Sequence, residues 1–534
     1  MRNRLISPLL PAALALLSPW PVSAQQFEPV DDLQWLAIEN IVSPVLRPET
    51  RNLDEARQLT GLARRELFDG RFGEARRLYS QARAIFLGVP WNAQSEFIAS
   101  LALRPAQVAV DPEDDLILAL GQHFPAGVPQ EFSYPDIHFR FSARRWGGSD
   151  DDDILLLSHS ELASPDLVEQ PQYVRLDLGA LGDGSWEIEA EVMHGEQVLG
   201  TTKTRLFTVS GLDEDSNRLR EGLAGLDVRP GLQASIAYPL NLVQALDLRT
   251  RRVRDINLRS ELDAALSLLA AAERGEDPLW RARGLQGRHY YSDTSGRIEP
   301  YRVFIPTDWD GSSELPLLAV LHGSAGDERS AFASGELERL AQERGLAVLS
   351  PMGDDPNSVW GNRLPVVLGD GTIPAPRPVI RDGRVQPVER LLVEPAEADV
   401  AATLALVRSE YPIDESRIYL AGNSMGGEGT LHLAAKWPDL WAAIAPGAGP
   451  IDPELIDYAT LSTIPALIVH GREDPITSFA ASRRIHERLQ AQGGAAELLV
   501  TDDEHDAFER NLEAILDFLL ARSREAQGRD GGRN

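Results

Sequence analysis

The stretch Arg417-Ile418-Tyr419-Leu420-Ala421-Gly422-Asn423-Ser424-Met425-Gly426-Gly427-Glu428-Gly429-Thr430-Leu431 decides how the whole chain is read. Its first part is a short apolar β-run, and the residues after Met425 have helical spacing. At the junction stands Gly422-x-Ser424-x-Gly426. Glycines at those two places relieve crowding in a sharp strand-to-helix turn, which lifts the Ser424 hydroxyl clear of the sheet. The helix beyond the turn aims the positive end of its dipole at the same spot and favours negative charge there. Ser424 is therefore the candidate nucleophile.

A serine hydroxyl is a weak nucleophile that needs a base, and the base needs an orienting acid. For a serine on this kind of turn, the expected chain order is Ser, acid, His. Four histidines lie downstream of Ser424: His432, His470, His486 and His505. His432 and His486 fall inside helical patterns, and His470 ends a strand. His505 lies in Thr501-Asp502-Asp503-Glu504-His505-Asp506-Ala507-Phe508, a loop between the last strand and the last helix, and is the expected base. For the acid, Ala466-Leu467-Ile468-Val469-His470-Gly471-Arg472-Glu473-Asp474 places Asp474 just past a strand end. Glu473 is the runner-up, with Asp502 and Asp503 behind it. The oxyanion formed on attack needs two donors: the N–H of Met425 and one from Leu321-His322-Gly323-Ser324, a loop after an earlier strand. Gly323 and Ser324 both remain candidates, and His322 is read as a brace for the loop.

From about residue 287 to 522, strands and helices alternate. Tyr301 to Ile305, Leu317 to Leu321, Ala347 to Leu349, Ile418 to Ala421, Ala442 to Ala445, Ala466 to Val469 and Ala496 to Val500 read as strands. Several are continuously apolar, as strands covered on both faces should be. Helical spacing marks 397–409, 427–437, 479–491 and 508–521. The alternation predicts a mostly parallel sheet with helices on both faces. Asp354 to Pro395 is a long insertion rich in Pro and Gly, expected to border the substrate site, with Trp360 lining the acyl or alcohol pocket.

Upstream, residues 25–105 read as a helical segment in which Asp69-Gly70 separates two amphipathic runs, like a single tetratricopeptide-type hairpin. Residues 106–212 change to short alternating strands, including Ile137 to Phe141, Tyr173 to Leu178 and Trp186 to Val192, which suggests an immunoglobulin-like β-sandwich. Ser149 to Asp153 is an acidic loop without EF-hand spacing, read as solvated. Residues 213–286 return to helical periodicity as a linker region, and 523–534 form a polar tail expected to be disordered.

The bulk numbers fit a globular protein of several domains. The chain has 534 residues, 43% hydrophobic and 25% charged, which implies two to four domains at roughly 100–200 residues each. A net charge of −29, from 52 basic and 81 acidic residues, argues against nucleic acid as a partner. With no cysteine, disulfides, thiolate catalysis and Cys-type metal sites are excluded, and neither cofactor nor metal is expected. Residues 1–24 have a basic start, an apolar run interrupted by Pro8, Pro11 and Pro19, and Val22-Ser23-Ala24 at the spacing of a cleavage site. They read as a signal peptide, giving a periplasmic or secreted protein with no membrane span after cleavage.

His322-Gly323-Ser324, Glu397-Ala398-Asp399-Val400, the run from Tyr411-Pro412-Ile413-Asp414 to the Ser424 turn, Trp437-Pro438-Asp439 and Gly471-Arg472-Glu473-Asp474 together resemble the esterase branch of the α/β-hydrolases. The likeness is to poly(3-hydroxybutyrate) depolymerase-like, feruloyl-esterase-like and phospholipase/carboxylesterase proteins, over residues 287–522. It implies ester cleavage, on small-molecule or polymeric esters, through an acyl-enzyme. Asn423 departs from the pattern, since many relatives have histidine there, and so does Glu504, where glycine is common. A prolyl-oligopeptidase-type peptidase is the alternative, though it needs a β-propeller upstream. A second alternative is a binding protein that works through the sandwich, a surface that could also support a homo-oligomer.

Overall fold

The computed structural model describes residues 30–132, 134–147, 154–164, 166–247, 256–368, 371–373, 379–381, 384–386 and 393–524. The expected leader at 1–24, the acidic residues 149–153 and the tail beyond 524 lie outside the described residues.

The carboxy-terminal half is built on one sheet of eight strands. In chain order these are β1 (Gly284–Ser292), β2 (Arg297–Ile305), β3 (Leu315–Leu321), β4 (Ala347–Pro351), β5 (Ile413–Asn423), β6 (Ala443–Gly447), β7 (Ala466–Gly471) and β8 (Ala496–Thr501). Across the sheet the order is β8-β7-β6-β5-β3-β4-β2-β1. β3 to β8 pair in parallel, while β2 runs antiparallel to both β4 and β1. This is an α/β-hydrolase-like fold with a mixed sheet.

The continuous apolar runs have their physical reason in the two covered faces. Every residue of β3, β6 and β7 is buried. Successive side chains of a strand point to opposite faces. Thus Leu317, Ala319 and Leu321 join one core with Ile418, Leu420, Val400, Leu404 and Leu431, whereas Leu318 and Val320 join the other with Tyr419, Ala421, Leu337, Ile515 and Leu519. The helices Val393–Glu410 and Met425–Lys436 cover the first face, and Glu336–Arg344 and Leu512–Leu520 the second.

Among the elements of this half that were not read from the sequence are a strand and a helix of the main layers. The hairpin partner β1 begins at Gly284, ahead of the expected boundary at 287. The helix Glu336–Arg344 is short and strongly polar, so its narrow apolar stripe of Leu337, Leu340 and Ala341 is its only core signal.

Upstream, Leu53–Phe68 and Phe72–Leu87 form the expected helical hairpin around the Asp69-Gly70 turn, with Gly70 at φ 75°. Strands begin earlier than residue 106, because Leu101–Pro105 pairs with Asp115–Gln122. Sheets of three and five strands share one core that includes Phe139, Phe141, Trp186 and Leu118. Ile137–Arg145 alternates buried and half-buried residues, as its sequence pattern requires. The helices Leu212–Leu223, Pro230–Asp247 and Leu258–Glu273 then pack together and against Phe207 of the five-stranded sheet and Ile298 of β2. No helix among the described residues is long and apolar enough to cross a membrane.

Candidate active site

The parallel strands place their carboxyl ends along one edge, where ligand crevices of open α/β sheets form. β5 ends at Asn423, and Ser424 comes next with φ 58° and ψ −121° at the start of the helix Met425–Lys436. Such a conformation costs a non-glycine residue about 1–3 kcal/mol, so the surroundings must enforce it. They do so through close backbone contacts. A β-carbon at Gly422 would lie 2.6 Å from the Leu321 carbonyl oxygen, and one at Gly426 would overlap that same oxygen. The Ser424 N–H donates to the Gly447 carbonyl at 2.9 Å. The Ser424 hydroxyl does not cap the helix that it begins.

His505 and Asp474, proposed from the sequence as base and acid, are brought together: His505 Nδ1 lies 2.7 Å from Asp474 Oδ2. The Asp474 side chain has no exposed surface, while His505 is 24% exposed. Asp474 Oδ1 accepts from the Ile476 and Thr477 N–H groups at 2.7 and 3.0 Å, and Oδ2 also accepts from Thr477 Oγ1 at 2.7 Å. Burial by itself pushes this carboxyl up, but the hydrogen-bonding partners His470 and His505 and the Thr477 N–H outweigh it and hold the group far below the ordinary carboxylate range. Glu473, Asp502 and Asp503 make no such contact with His505 in the hydrogen bonds of the site.

The loop after β3 lies beside Ser424. A β-carbon at Gly323 would be 3.4 Å from the Asn423 carbonyl oxygen and 3.6 Å from Ser424 Cβ. His322 is buried, with its ring nitrogens 2.8 Å from the carbonyls of Gly323 and Met352, which suits a brace.

Trp360 is not where the sequence placed it. It has no exposed surface, its Nε1–H donates to the His322 carbonyl at 3.0 Å, and its ring fills the space beside Gly353 and Gly429. It supports the His322–Ser324 loop and the helix Met425–Lys436 from behind and lines no open pocket. The insertion that carries it does approach the site: Val366–Leu368 bridges to Ile451 and, through Leu368, to Thr477 beside the acid.

Three further residues escaped sequence reading. The fully buried His470 places Nε2 3.4 Å from Asp474 Oδ2 and binds Ser482 Oγ at 2.7 Å through Nδ1. Asn423 Nδ2 donates to the His505 carbonyl at 2.9 Å. Glu428, without exposed surface, accepts from Asn362 Nδ2 at 2.5 Å and donates its N–H to the Ser424 carbonyl. The advance signals were the strand-end position of His470-Gly471 and the departure of Asn423 from the pattern of the resemblance. A cavity of about 1380 Å³ lies between Ala325–Arg329, Met352 and Pro356 on one side and the upstream helices and sheets, with Trp91, Trp146 and Lys203, on the other; Ser424, Asp474 and His505 do not line it. Among the described residues, no group of three His, Cys, Asp or Glu could hold a metal ion.

Residues 397–522, which contain Ser424, Asp474 and His505, match the phospholipase/carboxylesterase family model. Over 190 residues the chain is 27% identical to a bifunctional acetylxylan esterase/xylanase of Neocallimastix patriciarum, covering 35% of this chain and 23% of that protein. A protein of Nocardia uniformis subsp. tsuyamanensis named as an esterase is 27% identical over 189 residues, covering 35% of this chain and 48% of the other. The chain thus spans less than half the length of the curated relatives it matches. Among solved structures, a thermostable esterase aligns with 80% of this chain and 100% of its own at 17% identity and a TM-score of 0.34. An S-formylglutathione hydrolase of Agrobacterium tumefaciens aligns with 44% of this chain and 95% of its own, at 17% identity and a TM-score of 0.35.

Proposed function

We propose that this chain is an exported serine hydrolase that cleaves carboxylic esters through Ser424, His505 and Asp474. The observation that carries the reading is the 2.7 Å contact between His505 Nδ1 and Asp474 Oδ2, with the His505 carbonyl bonded to Asn423, the residue before a serine held at φ 58° at a helix start. Asp474 fixes the imidazole tautomer with Nε2 free to accept a proton, and its charge stabilises the imidazolium that forms. Ser424 Oγ attacks the ester carbonyl as His505 takes its proton. The N–H of Met425 and one from Gly323 or Ser324 hold the oxyanion. His505 then protonates the leaving alcohol, and water deacylates the serine by the same route.

The match of residues 397–522 to a phospholipase/carboxylesterase model supports esters over amides. The peptidase alternative is less favoured: the sheets upstream have three and five strands, whereas a propeller needs repeated four-stranded blades. We read those two sheets as the immunoglobulin-like sandwich and the cavity beside residues 325–329 as room for the non-reacting part of a longer ester. The test is a panel of p-nitrophenyl esters, feruloyl esters, polyesters and aminoacyl amides on the parent and Ser424→Ala. Ester turnover that disappears in the variant supports the proposal; amide cleavage faster than ester cleavage, or full activity without the serine hydroxyl, overturns it.

A further inference from the structure

The residue before the nucleophile has no role in the mechanism above, yet its side chain reaches the loop that carries the base. Asn423 closes β5, opposite Gly447 of β6, and is 9% exposed. Its Nδ2 donates to the main-chain carbonyl of His505 at 2.9 Å and to both carboxylate oxygens of Glu509, at 3.2 and 3.1 Å. The amide's two hydrogens are thereby used, one on the loop and one on the adjoining helix turn Ala507–Arg510. The neighbour along the chain on one side is Ser424, and the partner across space is His505.

We propose that Asn423 is a positioning residue, a latch that sets the distance between nucleophile and base by tying the His505 backbone to the end of the strand that presents Ser424. The inference rests on the Ser424–His505–Asp474 reading. Asp474 orients the ring through Nδ1 and the Glu473 N–H donates to the Asp503 carbonyl at 3.2 Å, but both contacts tie the loop to the Asp474 side of the site and neither ties it to the strand that presents Ser424. The Asn423 amide supplies that attachment at the backbone, and Glu509 in turn holds the amide. The chemistry needs a short side chain with an N–H donor. A leucine of similar volume leaves the His505 carbonyl without this donor, and an aspartate sets a second carboxylate against that of Glu509.

The experiment uses the full chain and two probes: p-nitrophenyl acetate for kcat and KM, and an alkyl fluorophosphonate for the rate of serine labelling. Asn423→Leu should lower kcat and the labelling rate about 10- to 100-fold, with KM changed less than about threefold and the melting temperature nearly unchanged. Asn423→His, which restores a ring N–H donor, should recover kcat to within about fivefold of the parent. Glu509→Ala should lose about two- to tenfold, and the double variant should lose no more than Asn423→Leu. A kcat for Asn423→Leu within twofold of the parent overturns the latch. So does a loss that tracks the melting temperature and is not rescued by histidine, because that pattern marks a purely structural contact. Ser424→Ala, run alongside, separates the two levels: if it keeps activity, the triad reading falls first; if it is inactive while Asn423→Leu is normal, only the latch falls.

Discussion

Gly471 and Glu504 are in such close backbone contact that a β-carbon on the glycine would overlap the Glu504 carbonyl oxygen, and that of Asp503 as well. The end of β7, which leads to Asp474, and the loop that leads to His505 are pressed together only because residue 471 has no side chain. Gly471→Ala must therefore push the 503–505 loop outward, stretching the His505–Asp474 contact. We expect kcat for ester hydrolysis to fall about 10- to 100-fold and stability to drop by about 1–3 kcal/mol. Steady-state kinetics and denaturant unfolding measure the two effects. An alanine variant with the parent's kcat would show that the loop has slack.

Asp474→Asn should keep the fold but offer His505 an amide in place of a carboxylate. The wrong tautomer and the missing charge are expected to reduce kcat on the order of 10³–10⁴-fold. The depressed carboxyl also makes stability depend on pH. Its folded-state pKa lies below its unfolded one, so ionised Asp474 contributes stability that is fully present above about pH 5. That contribution is lost as pH falls further towards the folded value. The stability advantage of the parent over the asparagine variant should be flat above about pH 5 and shrink below it; unfolding curves from pH 2.5 to 7 decide the matter.

A second buried carboxyl has the opposite sign. Asp399 is pushed up to about 7, first by burial, against the hydrogen bond that it accepts from Tyr290, with Glu299 raising it further. It accepts from the Tyr290 hydroxyl and from the Gly353 N–H, both at 2.6 Å. Here the folded state holds its proton more tightly than the unfolded chain. Stability should therefore fall as pH rises from about 4 to 7, by a few kcal/mol in order of magnitude. Asp399→Asn removes that slope, so its stability should change less across this interval than the parent's. Equal slopes in urea titrations at pH 5 and 7.5 would count against the assignment.

Trp360→Ala is expected to behave as a core truncation. Loss of a fully buried indole, together with its bond to the His322 carbonyl, should cost about 3–5 kcal/mol. Because the ring backs the Gly323–Ser324 loop, kcat should fall for every ester while the order of preference among acyl chains stays as in the parent. A changed preference in an acyl-length series would put Trp360 in the pocket after all.

The features legible along the chain are those encoded between near neighbours. The turn at 422–426 announces itself because glycine spacing and the change of period from strand to helix lie within a dozen residues. The apolar runs of β3, β6 and β7 reveal a sheet covered on both faces for the same local reason. The histidine at 505 and the aspartate at 474 stand out by elimination and by their places after strands, and the fold does set them 2.7 Å apart.

Other features depend on residues far apart in sequence, which no local pattern records. β1 is a strand because it pairs with β2 at the sheet edge. Trp360 reads as a pocket-lining aromatic in a Pro- and Gly-rich insertion until Gly353 and Gly429 are seen to leave room for its ring. His470 reads as the end of a strand until Asp474 turns back on it. Asn423 is one letter of a motif until its amide meets a carbonyl 82 positions further on. The sequence by itself determined the nucleophile's turn, the alternation of strands and helices, and which residue types could serve the serine. Only the tertiary structure decided which side chains contact them, because those contacts depend on distances that exist once the strands lie side by side.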